Sequence, residues 1–192
     1  MKVCGLTGGV GMGKSAAAQV LQDRGACIVD TDLLARQLVQ PHQPALIEIQ
    51  RLFGNALIDA SGYLRRDELA RIVFSDPEAR RKVEAILHPL IRSLWQAQLQ
   101  RWRAEQRELA VVVIPLLFET AAESEFDFTI CLACSSEAQR SRLRTRGWND
   151  GQIAQRIAAQ WPIGDKMAKA DYVIWTEGSL EITAEQLRRI EV

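Results

Sequence analysis

Eight residues near the start of the chain, Gly8-Gly9-Val10-Gly11-Met12-Gly13-Lys14-Ser15, have the types and spacing needed to hold the phosphates of a nucleotide. They fit Gly-x-x-x-x-Gly-Lys-Ser without a gap. Glycines let successive backbone N–H groups turn inward on phosphate oxygens, and a helix beginning just beyond them adds partial positive charge. Lys14 is placed to reach the β- and γ-phosphates and Ser15 to ligate Mg²⁺. A second group, Val29-Asp30-Thr31-Asp32, sets two acids two residues apart. Asp30 suits Mg²⁺ or its water shell, and Asp32 suits acceptance of a proton from a hydroxyl acceptor. Either acid also serves as an N-cap at a helix start.

These groups need a scaffold, and the order of apolar segments supplies one. Strands are expected at Lys2 to Leu6, Cys27 to Val29, Ala110 to Ile114, Thr129 to Ala133 and Tyr172 to Trp175, with helical patterns between them. Runs such as Leu109-Ala110-Val111-Val112-Val113-Ile114 suit a parallel sheet covered on both faces. The fold class expected is therefore α/β, a doubly wound parallel five-stranded sheet of the P-loop NTPase type. Ligands of such sheets bind at the carboxyl ends of the strands. That rule brings Thr7 to Ser15, Asp30 to Asp32, Pro115 to Glu119, Ser135, Ser136 and Thr176 to Gly178 into the candidate site; among them Thr7, Pro115, Leu116 and Glu119 are candidates for the acceptor side.

Two segments exceed simple alternation. Residues 32–106 hold helical patterns and no strong strand: Leu33 to Val39, Pro44 to Phe53, Asp67 to Phe74, and Pro77 to Trp102 interrupted at Pro89. Ser75 and Glu78 are spaced as a capping box. An insertion of this size at the ligand edge reads as an acceptor-binding module or as a packing accessory. Residues 137–169 carry Arg140, Arg142, Arg144, Arg146, Arg156, Lys166 and Lys169. They read as a lid that presents cations to a transferring phosphoryl group, or as a solvated charged face. The sheet core is then 1–31, 107–136 and 170–192, all within one domain spanning 1–192.

Composition limits the alternatives. Of 192 residues, 24 are Lys or Arg and 24 are Asp or Glu, so net charge gives no case for nucleic acid or an anionic membrane. No apolar run reaches the roughly 18 residues needed to span a bilayer, and Met1 leads straight into a strand, so the expected location is cytoplasmic. Cys131-Leu132-Ala133-Cys134 has a redox or metal spacing, yet it ends a strand and lacks a second Cys or His pair, so buried thiols are expected. Trp95 and Trp102, seven apart, read as a packing stripe. Guanine recognition by Asn-Lys-x-Asp is absent from the sequence, which removes a GTPase-like switch; Asp59-Ala60-Ser61-Gly62 reads as a turn. Another small-molecule or nucleoside monophosphate-type kinase, or a non-catalytic nucleotide-binding regulator, remains compatible with the loop itself.

Seven stretches together resemble the dephospho-CoA kinase family: Leu6-Thr7-Gly8 through Ser15, Val29-Asp30-Thr31-Asp32 with Ala35-Arg36, Leu87-His88-Pro89-Leu90-Ile91, Val113-Ile114-Pro115-Leu116-Leu117-Phe118-Glu119, Gln139-x-x-Arg142-x-x-x-Arg146, Arg156-Ile157-Ala158-Ala159-Gln160 and Ala170-Asp171-Tyr172-Val173-Ile174. The resemblance implies ATP-dependent transfer to the ribose 3′-hydroxyl of dephospho-CoA, the last step of coenzyme A synthesis, with Mg²⁺, by a monomer or small homo-oligomer. It implies Asp32 as base and Lys14, Arg142 and Arg146 at the phosphates. Gly8, Gly9, Val10, Gly11, Met12, Gly13, Lys14, Ser15, Ala16, Lys166 and Gly178 are implied on the nucleotide side, and Arg36, His88 and Glu119 on the acceptor side. His88, a lone histidine before a proline, also fits a structural role. Ala16 stands where the family has a hydroxyl residue, and Trp175-Thr176-Glu177-Gly178 where it has Asp-Asn-x-Gly. Adenine recognition is thereby left without its usual asparagine.

Overall fold

The computed structural model describes residues 1–190. Its strands are β1 (Lys2–Gly8), β2 (Cys27–Asp30), β3 (Leu109–Val113), β4 (Phe128–Ala133) and β5 (Tyr172–Trp175). They form one parallel sheet in the order β2-β3-β1-β4-β5. The first strand in sequence is thus the middle one in space, so the glycine loop that follows it leaves the centre of the sheet. Register runs Leu6 beside Val113 and Ile130, and Asp30 beside Val113, which sets the ends of three neighbouring strands at one edge. The two final residues of the 170–192 core segment lie outside the described residues.

The helices are α1 (Lys14–Asp23), α2 (Thr31–Leu38), α3 (Pro44–Phe53), α4 (Arg66–Ser75), α5 (Pro77–Ala104), α6 (Ser136–Thr145), α7 (Asp150–Ala158), α8 (Ile163–Lys169) and α9 (Leu180–Arg188). Strand side chains alternate between faces. One face gives Cys4, Leu6, Val111, Val113, Ile130, Leu132 and Ile174 to a cluster with Ala17 and Leu21 of α1 and Leu187 of α9. Each large member contributes roughly 1.5–3 kcal/mol by burial. On the other face Gly5 leaves room for the segment after β3: a Cβ there would lie 2.6 Å from Leu117 and 2.8 Å from Phe126. Both faces are covered, as the continuous apolar strands require.

The chain divides into two compact units, Met1–Asp30 with Leu99 onward, and Thr31–Gln98. The second unit has its own core of Val39, Leu46, Ile49, Leu57, Leu69 and Val83. Residues 137–169 belong to the sheet unit and form no unit of their own.

The structure corrects two expectations here. Pro89 does not interrupt the helix: α5 continues through it for 28 residues. A proline inside a helix costs about 3 kcal/mol, which the burial of Ala79 and Val83 before it and of Trp95 and Leu99 after it offsets. The cap of α5 is Asp76 rather than Ser75. Asp76 Oδ1 accepts from the N–H of Glu78 at 2.8 Å and of Ala79 at 3.2 Å, while the Ser75 hydroxyl donates back to the Arg71 and Ile72 carbonyls of α4. Asp59 closes the expected turn by accepting from the N–H of Ser61 and Tyr63.

Candidate functional site

The glycine loop runs from the end of β1 directly into α1. Gly13 is the N-cap at φ 88°, the left-handed region, and α1 has neither a side-chain cap nor an acid in its first turn. Its leading N–H groups therefore keep their partial positive charge for an anion. Ser15 and Ala16 are exposed there. Lys14 turns back over the loop: Nζ donates to the carbonyls of Gly8 at 2.8 Å and Gly9 at 3.0 Å. An ammonium bound to two neutral carbonyls exchanges readily for charged oxygens, since charge-assisted bonds are about twice as strong.

Side chains from 137–176 hold the loop from outside. Gln139 of α6, 5% exposed, donates from Nε2 to the Val10 carbonyl at 2.8 Å, and Gln160 Oε1 accepts from the Val10 N–H at 2.8 Å. Both backbone groups of Val10 are thus engaged by two glutamines. Leu143, one turn along α6, lies so close that a Cβ on Gly11, itself at φ 76°, would meet it at 2.9 Å. On the next flank, buried Thr176 places its hydroxyl 3.2 Å from the Met12 carbonyl and 3.3 Å from that of Ala133. Arg142 binds Thr176 twice, from Nη1 to the hydroxyl at 3.0 Å and from Nη2 to the carbonyl. Glu177 Oε2 accepts from the Ser135 N–H, which is the first cause holding its carboxyl below the usual range. The sequence reading missed Gln139 and Gln160 as site residues, and reached Thr176 only as a position just after a strand. The first two stood in the family-like stretches, but nothing in their spacing assigned them a backbone group to hold.

At the end of β3 a further set converges. Thr7 Oγ1 donates to the Pro115 carbonyl at 3.3 Å, and Lys166 Nζ donates to the same oxygen at 2.7 Å. Lys166 also pairs with Glu119 Oε1 at 2.7 Å, with side-chain exposures of 0% and 12%. The Trp161 N–H donates to that Oε1 at 2.9 Å, and Glu119 Oε2 is buried with no hydrogen-bond partner among the described residues. This corrects the placing of Lys166 among open lid cations: its ammonium is enclosed. Arg146, in contrast, stands exposed at the C-cap of α6. Leu116 is half-buried beside Pro115, and Gly178 takes φ 109° in the turn after β5.

The remaining candidates sit at the edge of β2 and in the helical unit. Asp30 closes β2 and is half-buried; Asp32 and Arg36 are exposed on α2, four apart and so on one face. His88 is half-buried on α5. The cysteines are all free thiols. Burial pushes Cys131 up to about 11, against a smaller downward pull from the Lys166 and Lys14 ammoniums.

A parallel sheet whose central strand ends in this loop, with a lysine on it and basic residues beside it, defines a P-loop phosphotransferase. The model of the dephospho-CoA kinase family matches residues 2–181, and the chain belongs to that family. A dephospho-CoA kinase of Anaeromyxobacter dehalogenans is 41% identical over 99% of this chain and 90% of its own. Among solved structures, TT1252 from Thermus thermophilus has a TM-score of 0.82 at 34% identity, covering 97% of this chain and 94% of its own. The dephospho-CoA kinase of Campylobacter jejuni shares the fold at TM-score 0.70 and 24% identity, with the same coverages. The chain is accordingly an ATP-dependent kinase.

Proposed function

We propose that this chain transfers the γ-phosphoryl group of ATP to the ribose 3′-hydroxyl of dephospho-CoA, releasing ADP and coenzyme A. The observation that carries the reading is Lys14 folded over the glycine loop at the uncapped start of α1, in a chain of the dephospho-CoA kinase family. Phosphoryl transfer asks little covalent chemistry of the protein, and positioning with charge stabilisation supplies most of the rate. The loop amides and Lys14 take the β- and γ-phosphates. Arg142 and Arg146 meet the negative charge that develops on the transferring group.

Asp32 accepts the proton of the 3′-hydroxyl as its oxygen bonds to phosphorus. Arg36, His88 and Glu119 serve the acceptor, Glu119 through Oε2, which still has free lone pairs. Thr7, Pro115 and Leu116 line the same strand ends. Mg²⁺ fits the donor set, because it takes one or two protein oxygens and fills its sphere with phosphates and water, and Ser15 and Asp30 are those donors; when bound it neutralises phosphate charge. None of the described helices is long and apolar enough to cross a membrane. Four free thiols suit the reducing cytoplasm, where we place the reaction.

ADP release tests the reading, with dephospho-CoA compared against nucleosides, AMP and shikimate. Turnover with dephospho-CoA at least tenfold above the others is expected. Faster turnover of any other acceptor overturns it.

A further inference from the structure

The seven residues from Gln160 to Lys166 touch two catalytic loops at once. At one end Gln160 Oε1 holds the Val10 N–H of the phosphate loop at 2.8 Å. At the other, Lys166 Nζ holds the Pro115 carbonyl at 2.7 Å and the Glu119 carboxylate at 2.7 Å. Between them the Trp161 N–H also binds Glu119, at 2.9 Å. One turn on, Lys169 pairs with Glu123 at 2.8 Å and lies 5.6 Å from the Phe118 ring centre, which extends the same attachment. The segment is a strut between the loop after β1 and the loop after β3.

A lysine with no exposed side-chain surface is an expensive way to fill space. Desolvating an ion pair costs several kcal/mol per ion, and an apolar pair of similar volume often packs as well or better. What an apolar pair lacks is direction. Lys166 supplies aimed donors that fix one carbonyl and one carboxylate relative to each other, and Pro115 O is itself shared with Thr7 at the end of β1. The arrangement sets register rather than bulk stability.

We propose that Lys166 is a positioning residue for phosphoryl transfer, acting through Pro115 and Glu119 to hold the loop after β3 in register with the phosphate loop, with Gln160 as the second anchor. The proposal rests on the phosphotransfer reading above. Lys166 then does not meet the nucleotide. A misplacement of about 1 Å between reacting groups costs on the order of 10²-fold in rate, so the strut is read in kcat rather than in ATP affinity.

The test compares Lys166→Met, Glu119→Gln, the double variant and Gln160→Leu, each checked for folded content and Tm. ATP affinity is measured by calorimetry, and kcat and KM with dephospho-CoA. Wild-type turnover in the same assay tests the phosphotransfer reading separately. Lys166→Met is expected to keep ATP binding within about threefold while kcat falls about 10–100-fold. In the double variant no buried charge is stranded, so Tm recovers toward wild type, while kcat stays as low as in Lys166→Met because the aimed donor to Pro115 is still missing. Gln160→Leu, which strands no buried charge, is expected to lower kcat about fivefold or more at unchanged ATP affinity. ATP affinity falling with kcat in Lys166→Met, and staying low in the double variant, would make Lys166 a nucleotide contact. A lower Tm with unchanged kcat would make it merely structural. If Lys166→Met does not fold, unchanged kcat in Gln160→Leu alone overturns the strut.

Discussion

Lys14 Nζ lies 2.8 Å from the Gly8 carbonyl and 3.0 Å from that of Gly9, so the cation is already over the loop that must receive phosphate. Binding ATP exchanges these two neutral acceptors for charged ones, and charge-assisted bonds are about twice as strong. Lys14→Met is therefore expected to lower kcat at least about 10²-fold, the scale for deleting one preorganised charge or donor. The half-buried chain packs on backbone, so the fold should persist. Wild-type turnover in a preparation with native circular dichroism removes Lys14 from the chemistry.

Asp32 is the second residue of α2, two residues beyond the end of β2, and is exposed. Asp32→Asn keeps the shape and removes the basicity. Both ligands should bind within a few-fold of wild type while kcat falls roughly 10²-fold, the usual scale for a general base. A loose transition state, in which the acceptor proton departs late, reduces the loss. Calorimetry alongside turnover decides between outcomes: full activity excludes the base, and lost ATP binding reassigns Asp32 to the metal.

Arg142 on α6 and Arg146 at its C-cap differ in environment. Arg142 makes two bonds to buried Thr176, while Arg146 is exposed. If both meet developing charge, each alanine variant lowers kcat more than it raises the acceptor KM. Only Arg142→Ala should also lower stability, by about 1.5–3 kcal/mol for a charged donor to a buried partner; Arg146→Ala should stay within about 0.5 kcal/mol. Equal Tm losses, or a change confined to acceptor KM, contradict the assignment.

The strands were legible because their apolar runs are short, continuous and bounded by turn residues. Tyr172–Trp175 matches the expected span, and the other four lie within two residues of it at either end. Helix ends were harder. Ser75 and Asp76 are adjacent and chemically alike as caps, and only tertiary packing decides which residue turns toward α5. Pro89 reads as a breaker because local propensity outweighs packing in a sequence and the reverse holds in a fold. In the site, the glycine loop was legible since its function depends on backbone geometry that few residue types allow. Gln139 and Gln160 were not, because each acts on a backbone atom more than a hundred residues away in sequence, and side-chain type says nothing of that distance. Lys166 shows the converse: a cation in a basic stretch reads as a surface charge until its counter-ion is seen.

Cys131 lies on β4 beside Thr7 of β1, fully buried, and desolvation pushes its thiol up to about 11. The unfolded chain ionises near the ordinary value of about 8.5. Below that pH both states keep the proton and the thiol contributes no pH dependence. Above it the unfolded state loses its proton first, so the stability present below about 8.5 declines as pH rises and levels off only near 11. The slope approaches about 1.4 kcal/mol per pH unit for one thiol. Cys4, raised by burial in the same direction, adds to the wild-type slope. Chemical denaturation at pH values from about 7.5 to about 9.5 is expected to show falling stability in the wild type and a total fall smaller by about 1.4 kcal/mol, or about 0.7 kcal/mol per unit averaged across that window, in Cys131→Ala. The alanine variant is less stable at every pH because of its cavity, which leaves the slope as the deciding quantity. Parallel curves for the two proteins would mean that the buried thiol ionises as freely as one in water.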